Sequence, residues 1–320
     1  MGKTISILVP AYNAAPYISE CLDSILGQRF TDFEVVILDD GSTDDTGRIA
    51  DEFAQRDARV RVYHQENQGI VPARSRLMRL AEGDYVGWVD ADDRIRPEMY
   101  GTLYETAVGQ NADVVICDYE FFPDRQRTKG KWFKPYRGTV DWRFMERNGQ
   151  HWNKLVRRSL LEKTNMAAWN EYCGEGSYAL AMIFAGRIAT VSEPLYCYRV
   201  GHVSLSSNLK SVDWYLTNIG KAYRFRDVIH RLKLDDAWGE YYDEGICYAM
   251  IQAMIVAAHS RDKLHYAEVR ARFAAEKNLR NRYLKTVLDD DYGKLRSFVI
   301  RRMIPSSYTA ARLVTGVGLR

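Results

Sequence analysis

The chain has 320 residues, 46% hydrophobic and 27% charged, with only 8 prolines. This composition excludes a disordered or low-complexity protein and leaves room for one large domain or two ordinary ones. The formal charge of +3 gives no overall pull toward nucleic acid, but it is unevenly spread: Arg261 to Arg320 holds fourteen bases against six acids, leaving a mildly acidic body and a basic end suited to an anionic surface.

Ile5 to Val9 is a short apolar run stopped by Pro10, the pattern of a buried strand. Pro16 opens a helix with Ile18, Cys21, Leu22, Ile25 and Leu26 at helical spacing, closed by Gly27. Val35 to Leu38 reads as a second strand ending in Asp39-Asp40-Gly41, and Ser42, Thr43 and Asp44 are N-cap candidates for a helix through about Arg56. Val60 to Tyr63 is a third strand, Ile70 to Ala81 a helix, and Tyr85 to Val89 a fourth strand ending in Asp90-Ala91-Asp92-Asp93. A helix from Pro97 and a strand over Val114 to Cys117 complete the series. Strand and helix in alternation with short links define an α/β domain: a mostly parallel, Rossmann-like sheet flanked by helices.

From Glu120 to Gln150 the pattern lapses into an aromatic, basic stretch, expected as loop and edge strand; Trp132, Phe133 and Tyr136 among their lysines and arginine are not read as a nucleic-acid platform. Arg157 to Lys163 and Tyr178 to Phe184 read as helical, and Ile188 to Val191 as a short strand. Beyond Ser211 the reading is nearly all helix, which sets the expected division at residues 1–208, α/β, and 209–320, a helical basic region. Gly245 to Ala258 is the longest apolar stretch and falls short of a membrane span. Five scattered cysteines without Cys-x-x-Cys fit reduced thiols and a cytoplasmic protein, and no secretory leader is read.

Ligands of an open parallel sheet bind beyond the carboxyl ends of its strands. Two acidic clusters sit there, Asp39-Asp40 and Asp90 to Asp93. A single acid in such a place is commonly a cap or turn former, and Asp44, Asp45 and Asp93 read that way. Several together raise one another's pKa unless a cation is present, and Asp-x-Asp suits a hard divalent ion such as Mg²⁺ or Mn²⁺. No glycine-rich phosphate loop follows the first strand, so a diphosphate would be neutralised by metal and side chains.

The segments SILVPAYNAAPYISECLDSILGQRFTDFEVVILDDGSTDDT, ENQGIVPARSR and GDYVGWVDADDRIRPEMY resemble glycosyltransferase family 2, inverting enzymes of the GT-A fold, with weaker echoes to about residue 206. The resemblance implies a hexosyl- or N-acetylhexosaminyl-transferase in surface-polysaccharide synthesis, with a nucleotide-sugar donor (a UDP-sugar) and a saccharide or lipid-linked saccharide acceptor. It implies that Pro10, Ala11, Tyr12, Asn13, Asp40, Arg74, Asp90 and Ala91 hold the nucleotide, that Asp92 and His202 hold Mn²⁺ or Mg²⁺, and that Trp152 and Lys154 lie on the acceptor side. Relatives have Gly-Glu-Asp where this chain has Gly174-Glu175-Gly176, and that Asp is their general base. Three explanations compete: Glu175 is the base, another acid such as Glu171 substitutes, or the chain is a catalytically impaired sugar-nucleotide-binding protein. A phospho-receiver module would carry its acid pair after the first strand, where Pro10 to Asn13 stand instead.

Leu295, Phe298, Val299, Met303 and Ile304 interleave with Arg296, Arg301 and Arg302. This basic amphipathic pattern suits peripheral attachment to the anionic inner face of a plasma membrane, the alternative being a packing helix or a homodimer contact.

Overall fold

The structure, a computed structural model, describes residues 3–123, 133, 135–140, 144, 148–173, 179–201, 211–276, 284–286, 288–289 and 293–316. It divides into two units, Met1–His202 and Val203–Arg320.

In the first unit the continuous apolar runs become strands covered on both faces. β1 (Ile5–Ala11) and β2 (Phe33–Asp39) are buried along their whole length. With β3 (Val60–His64), β4 (Tyr85–Trp88), β5 (Arg94–Ile95), β6 (Val114–Phe122), β7 (Lys154–Arg157) and β8 (Ile188–Arg199), they form one sheet in the order β3-β2-β1-β4-β7-β6-β8-β5. β1 pairs in parallel with β2 on one side and β4 on the other, Ile5 lying opposite both Phe33 and Tyr85. The strand order therefore reverses at β1, which opens a crevice past its carboxyl end.

Four of these strands differ from the sequence reading, β6 by running past Cys117 to Phe122. β5 and β7 carry no periodic signal of their own, and β8 runs on to Arg199, well beyond Val191. β7 enters antiparallel between β4 and β6, with Gly87 opposite Leu155. Its first residue therefore sits at the carboxyl edge of the parallel strands, and the expected helix starts only at Arg158.

The flanking helices bury one stripe each, as their spacing predicts. α1 (Ile18–Leu26) buries Ile18, Cys21, Leu22 and Ile25. α2 (Thr46–Arg56) begins later than Ser42 and Thr43, which bond the turn after β1, while Asp44 Oδ1 does accept from the Thr46 amide at 3.0 Å. Ser42 Oγ accepts from the Asn13 amide at 3.0 Å, the Thr43 amide donates to Asn13 Oδ1 at 2.8 Å, and Asp44 Oδ2 accepts from the Ala15 amide at 3.1 Å. Asn13 takes φ 49°, a left-handed geometry that asparagine tolerates.

β4 meets α4 (Met99–Gly109) with no room to spare. A Cβ on Gly87 would lie 2.3 Å from Cε1 of the fully buried Tyr100. Gly87→Ala is expected to cost about 1–3 kcal/mol through overpacking, read as a lower urea midpoint at unchanged slope. A wild-type midpoint would show that the ring can yield.

The second unit is helical. Val212–Arg231 is capped by Ser211, whose side chain accepts from the Trp214 amide, and Lys263–Ala275 by Asp262 in the same way. Glu240–His259 lies at the centre, burying Ile246, Met250, Met254 and Ala257 among the residues of one apolar core. Among the described residues no helix is long and apolar enough to cross a membrane. Lys294–Met303 and Tyr308–Gly316 follow, contributing Ile300 and Ala311 to that core.

Candidate active site

Three strand ends meet at the crevice. The backbone amide of Asp40 donates to the Ala11 carbonyl at 2.9 Å, which ties the end of β2 to that of β1. The Asp40 side chain is buried: Oδ1 accepts from Gln65 Nε2 at 2.6 Å and from the Gln68 amide at 3.0 Å, and Oδ2 accepts from the Gly69 amide at 2.7 Å. It thereby shapes the segment leading into α3 (Ile70–Leu80). A carboxylate has about four acceptor sites, so these three bonds leave Oδ2 able to take one further N–H. Gly41 allows the turn, since at φ 72° a Cβ there would lie 2.6 Å from the Asn67 amide nitrogen. Tyr12 is half exposed beside it.

The four residues Asp90 to Asp93 have distinct surroundings. Arg74, buried on α3, reaches over with Nη2 to donate to Asp90 Oδ1 at 2.7 Å. Its Nη1 donates to Nδ1 of the buried His151 at 3.3 Å. Burial, with Arg74 and Lys154 adding to it, holds that imidazole well below its ordinary pKa, so it is neutral and free to accept. Ala91 and Asp93 are buried. Asp93 Oδ2 accepts from the Tyr196 hydroxyl at 2.6 Å and Oδ1 from the Arg199 amide at 2.7 Å. Burial pushes this carboxyl well above the usual range, and the charges of Asp92 and Asp90 push it further. It is a structural acid that fastens β8 to the end of β4.

Asp92 is partly buried, and its backbone carbonyl accepts from Arg199 Nε at 2.6 Å. Among the described residues no three His, Cys, Asp or Glu side chains gather into a metal cage. Mg²⁺-like ions are commonly held by one or two carboxylates plus substrate phosphate oxygens. A partly exposed Asp92 carboxylate fits that mode.

Trp152 and Lys154 both lie inside the fold. Trp152 is 8% exposed and stacks on Tyr196, centroids 4.7 Å apart, so it presents no open ring to an acceptor. Lys154 is buried too, and Nζ donates to the Gln150 carbonyl at 2.6 Å, Asn153 Oδ1 at 3.0 Å and the Trp152 carbonyl at 3.4 Å. Lys154 opens β7, which enters the sheet antiparallel beside β4. Glu171 pairs with Arg79 at 2.6 Å. Glu175, Gly176 and His202 lie outside the described residues, as do residues 124–132 of the aromatic stretch.

The sequence reading missed His151, Tyr196, Arg199 and Gln65 as parts of the site. Tyr196 and Arg199 sit on the part of β8 beyond Val191, where the aromatic run at 196–198 is the available strand signal. Nothing local marks His151.

Lys154 makes stability depend on pH. Burial pulls its amine down to about 7. Its unfolded value is about 10.4, so between these two values the unfolded chain binds more protons and stability rises with pH, by up to about 1.4 kcal/mol per unit. Lys154→Met is expected to remove that slope, seen as a flatter denaturation midpoint against pH than wild type over this window. Parallel curves would refute it.

A sheet whose order reverses at β1, with acids beyond the ends of β2 and β4, fits the GT-A fold. Residues 6–165 match the family described as Glycosyl transferase family 2. The uncharacterized glycosyltransferase EpsJ of Bacillus subtilis is 34% identical over 222 residues, 64% of this chain and 64% of EpsJ's own length. Glycosyltransferase GlyG of Streptococcus pneumoniae is 30% identical over 231 residues, covering 67% of this chain and 76% of GlyG. TarS 1-349 of S. aureus, crystallised in complex with UDP-GlcNAc, shares the fold at TM-score 0.67 and 21% identity, over 96% of this chain and 91% of that one. The chain belongs to glycosyl transferase family 2.

Proposed function

We propose that this chain transfers a hexosyl or N-acetylhexosaminyl group from a UDP-sugar to a saccharide or lipid-linked saccharide acceptor, with inversion, in the synthesis of a surface polysaccharide. The observation that carries the reading is the convergence of Asp40, the Arg74–Asp90 pair and Asp92 at the carboxyl edge of β1, β2 and β4. The UDP-GlcNAc bound by TarS, which shares the fold, supports the choice of donor.

In this reading the spare lone pair of Asp40 Oδ2 accepts the uracil N–H, with Pro10, Ala11, Tyr12 and Asn13 lining the base and ribose. Asp90, held by Arg74, and Ala91 meet the ribose. Asp92 and His202 would hold Mn²⁺ or Mg²⁺, which when bound neutralises the diphosphate. Glu175 takes the proton of the acceptor hydroxyl as its oxygen bonds to the anomeric carbon. The bond from that carbon to the diphosphate breaks, and UDP leaves with the electron pair. A nucleotide-sugar donor and a lipid-linked acceptor place the work in the cytoplasm, at the inner face of the plasma membrane.

The test is incubation of wild type and Glu175→Gln with a panel of UDP-sugars and Mn²⁺, following UDP release. Turnover is expected in wild type and a fall of about 10²–10⁴-fold in the variant. Equal rates would remove Glu175 from the mechanism. UDP binding without turnover in wild type would favour the impaired binding protein, for which Gly176 speaks.

A further inference from the structure

The helix Lys294–Met303 carries its apolar residues on two opposite sides. Ser297 and Ile300 turn inward and, with Ile304 beyond the helix end, are fully buried in the core of the second unit. Leu295 is 78% exposed and Phe298 50% exposed, placed on the other side. At 100° per residue, Leu295, Phe298, Val299 and Arg302 share that outer face, Lys294 and Arg301 flank it on one side and Arg296 on the other. Arg302 lies over the Phe298 ring, 5.0 Å from its centroid. The sequence pattern therefore splits: Ile304 serves folding, while Leu295 and Phe298 are left over. Surface helices normally expose polar residues there.

We infer that this outer face docks on an anionic lipid bilayer, Leu295 and Phe298 entering the headgroup boundary while Lys294, Arg296, Arg301 and Arg302 meet lipid phosphates and carboxylates. Charge decides the occupant. Tyr292 to Arg320 contains six bases and no acid, so an anionic surface is attracted along the whole segment, whereas a second copy would bring the same bases against these. The basic flanks around two bulky apolar side chains are the composition of a helix lying in a membrane interface. The inference rests on the membrane-side location proposed above and is independent of the donor site.

Deleting the segment is not a usable test, because Ile300, Ile304 and Ala311 would leave the core with it. The full chain and Leu295→Glu/Phe298→Glu should instead be sedimented with vesicles of phosphatidylcholine alone and with 30% phosphatidylserine (roughly the order of a cytoplasmic leaflet). Wild type is expected to partition to the anionic vesicles at least about tenfold more than to the neutral ones, less so at high salt. The double variant should lose about tenfold or more on the anionic vesicles, with its thermal midpoint and UDP binding unchanged, since both side chains are exposed. Equal partitioning of wild type and variant overturns the inference. So does a wild type that ignores vesicles and dimerises through this face, with the variant monomeric. UDP binding in the same samples reports separately on the donor site.

Discussion

Asp92→Ala is expected to abolish the Mn²⁺ dependence of UDP binding and to lower sugar transfer by on the order of 10²–10³-fold. A metal at a departing diphosphate supplies several kcal/mol of charge stabilisation, and each tenfold in rate corresponds to about 1.4 kcal/mol. The main-chain anchor of this residue should survive the change, because Arg199 Nε bonds the Asp92 backbone carbonyl, which alanine retains. Isothermal titration of UDP with and without Mn²⁺, beside a thermal melt, separates the two effects. Metal-dependent binding that survives in the variant would remove Asp92 from the ion. Asp93→Ala should behave in the opposite way, with stability falling first, because Asp93 anchors Tyr196 and the Arg199 amide.

Arg74→Met is expected to damage stability and donor binding together. The guanidinium is buried and carries both the Asp90 carboxylate and the His151 ring nitrogen. Without it, the Asp90 carboxylate faces Asp92 and Asp93 with its cation gone, and breaking such a pair costs about 3–5 kcal/mol. For a unit of this size that is a fall in melting temperature of roughly 6–20 °C. UDP affinity should drop at least about tenfold, because Asp90 loses the contact that aims it. Adding Asp90→Asn should recover part of the stability but not the affinity, with a coupling energy of at least about 1 kcal/mol between the two sites. Strict additivity in the melts would mean that the pair contributes nothing specific.

Much of the first unit was legible from local pattern. β1 and β2 are buried on both faces, so every residue must be apolar or satisfied, and a continuous run announces such a strand without help from its neighbours. The same locality exposed the acids after β2 and β4, because carboxylates that follow an apolar run mark where the strand ends. Among Asp90, Asp92 and Asp93 the sequence could not assign roles beyond resemblance. Asp93 owes its burial to Tyr196 and Arg199, a hundred residues later, and Asp90 its cation to α3.

What the sequence determined by itself, then, was the alternation of strands and helices, the side of the sheet where chemistry can occur, and the basic end of the chain. Each of these follows from residue spacing or from summed charge, and neither depends on what packs against it. Tertiary structure alone decided that β7 enters antiparallel, that Trp152 and Lys154 are buried, and that Leu295 and Phe298 face out while Ile300 and Ile304 face in. An amphipathic pattern states that two faces differ; which face meets the core is settled by the volume and polarity of the partner it packs on, and that partner lies far away along the chain.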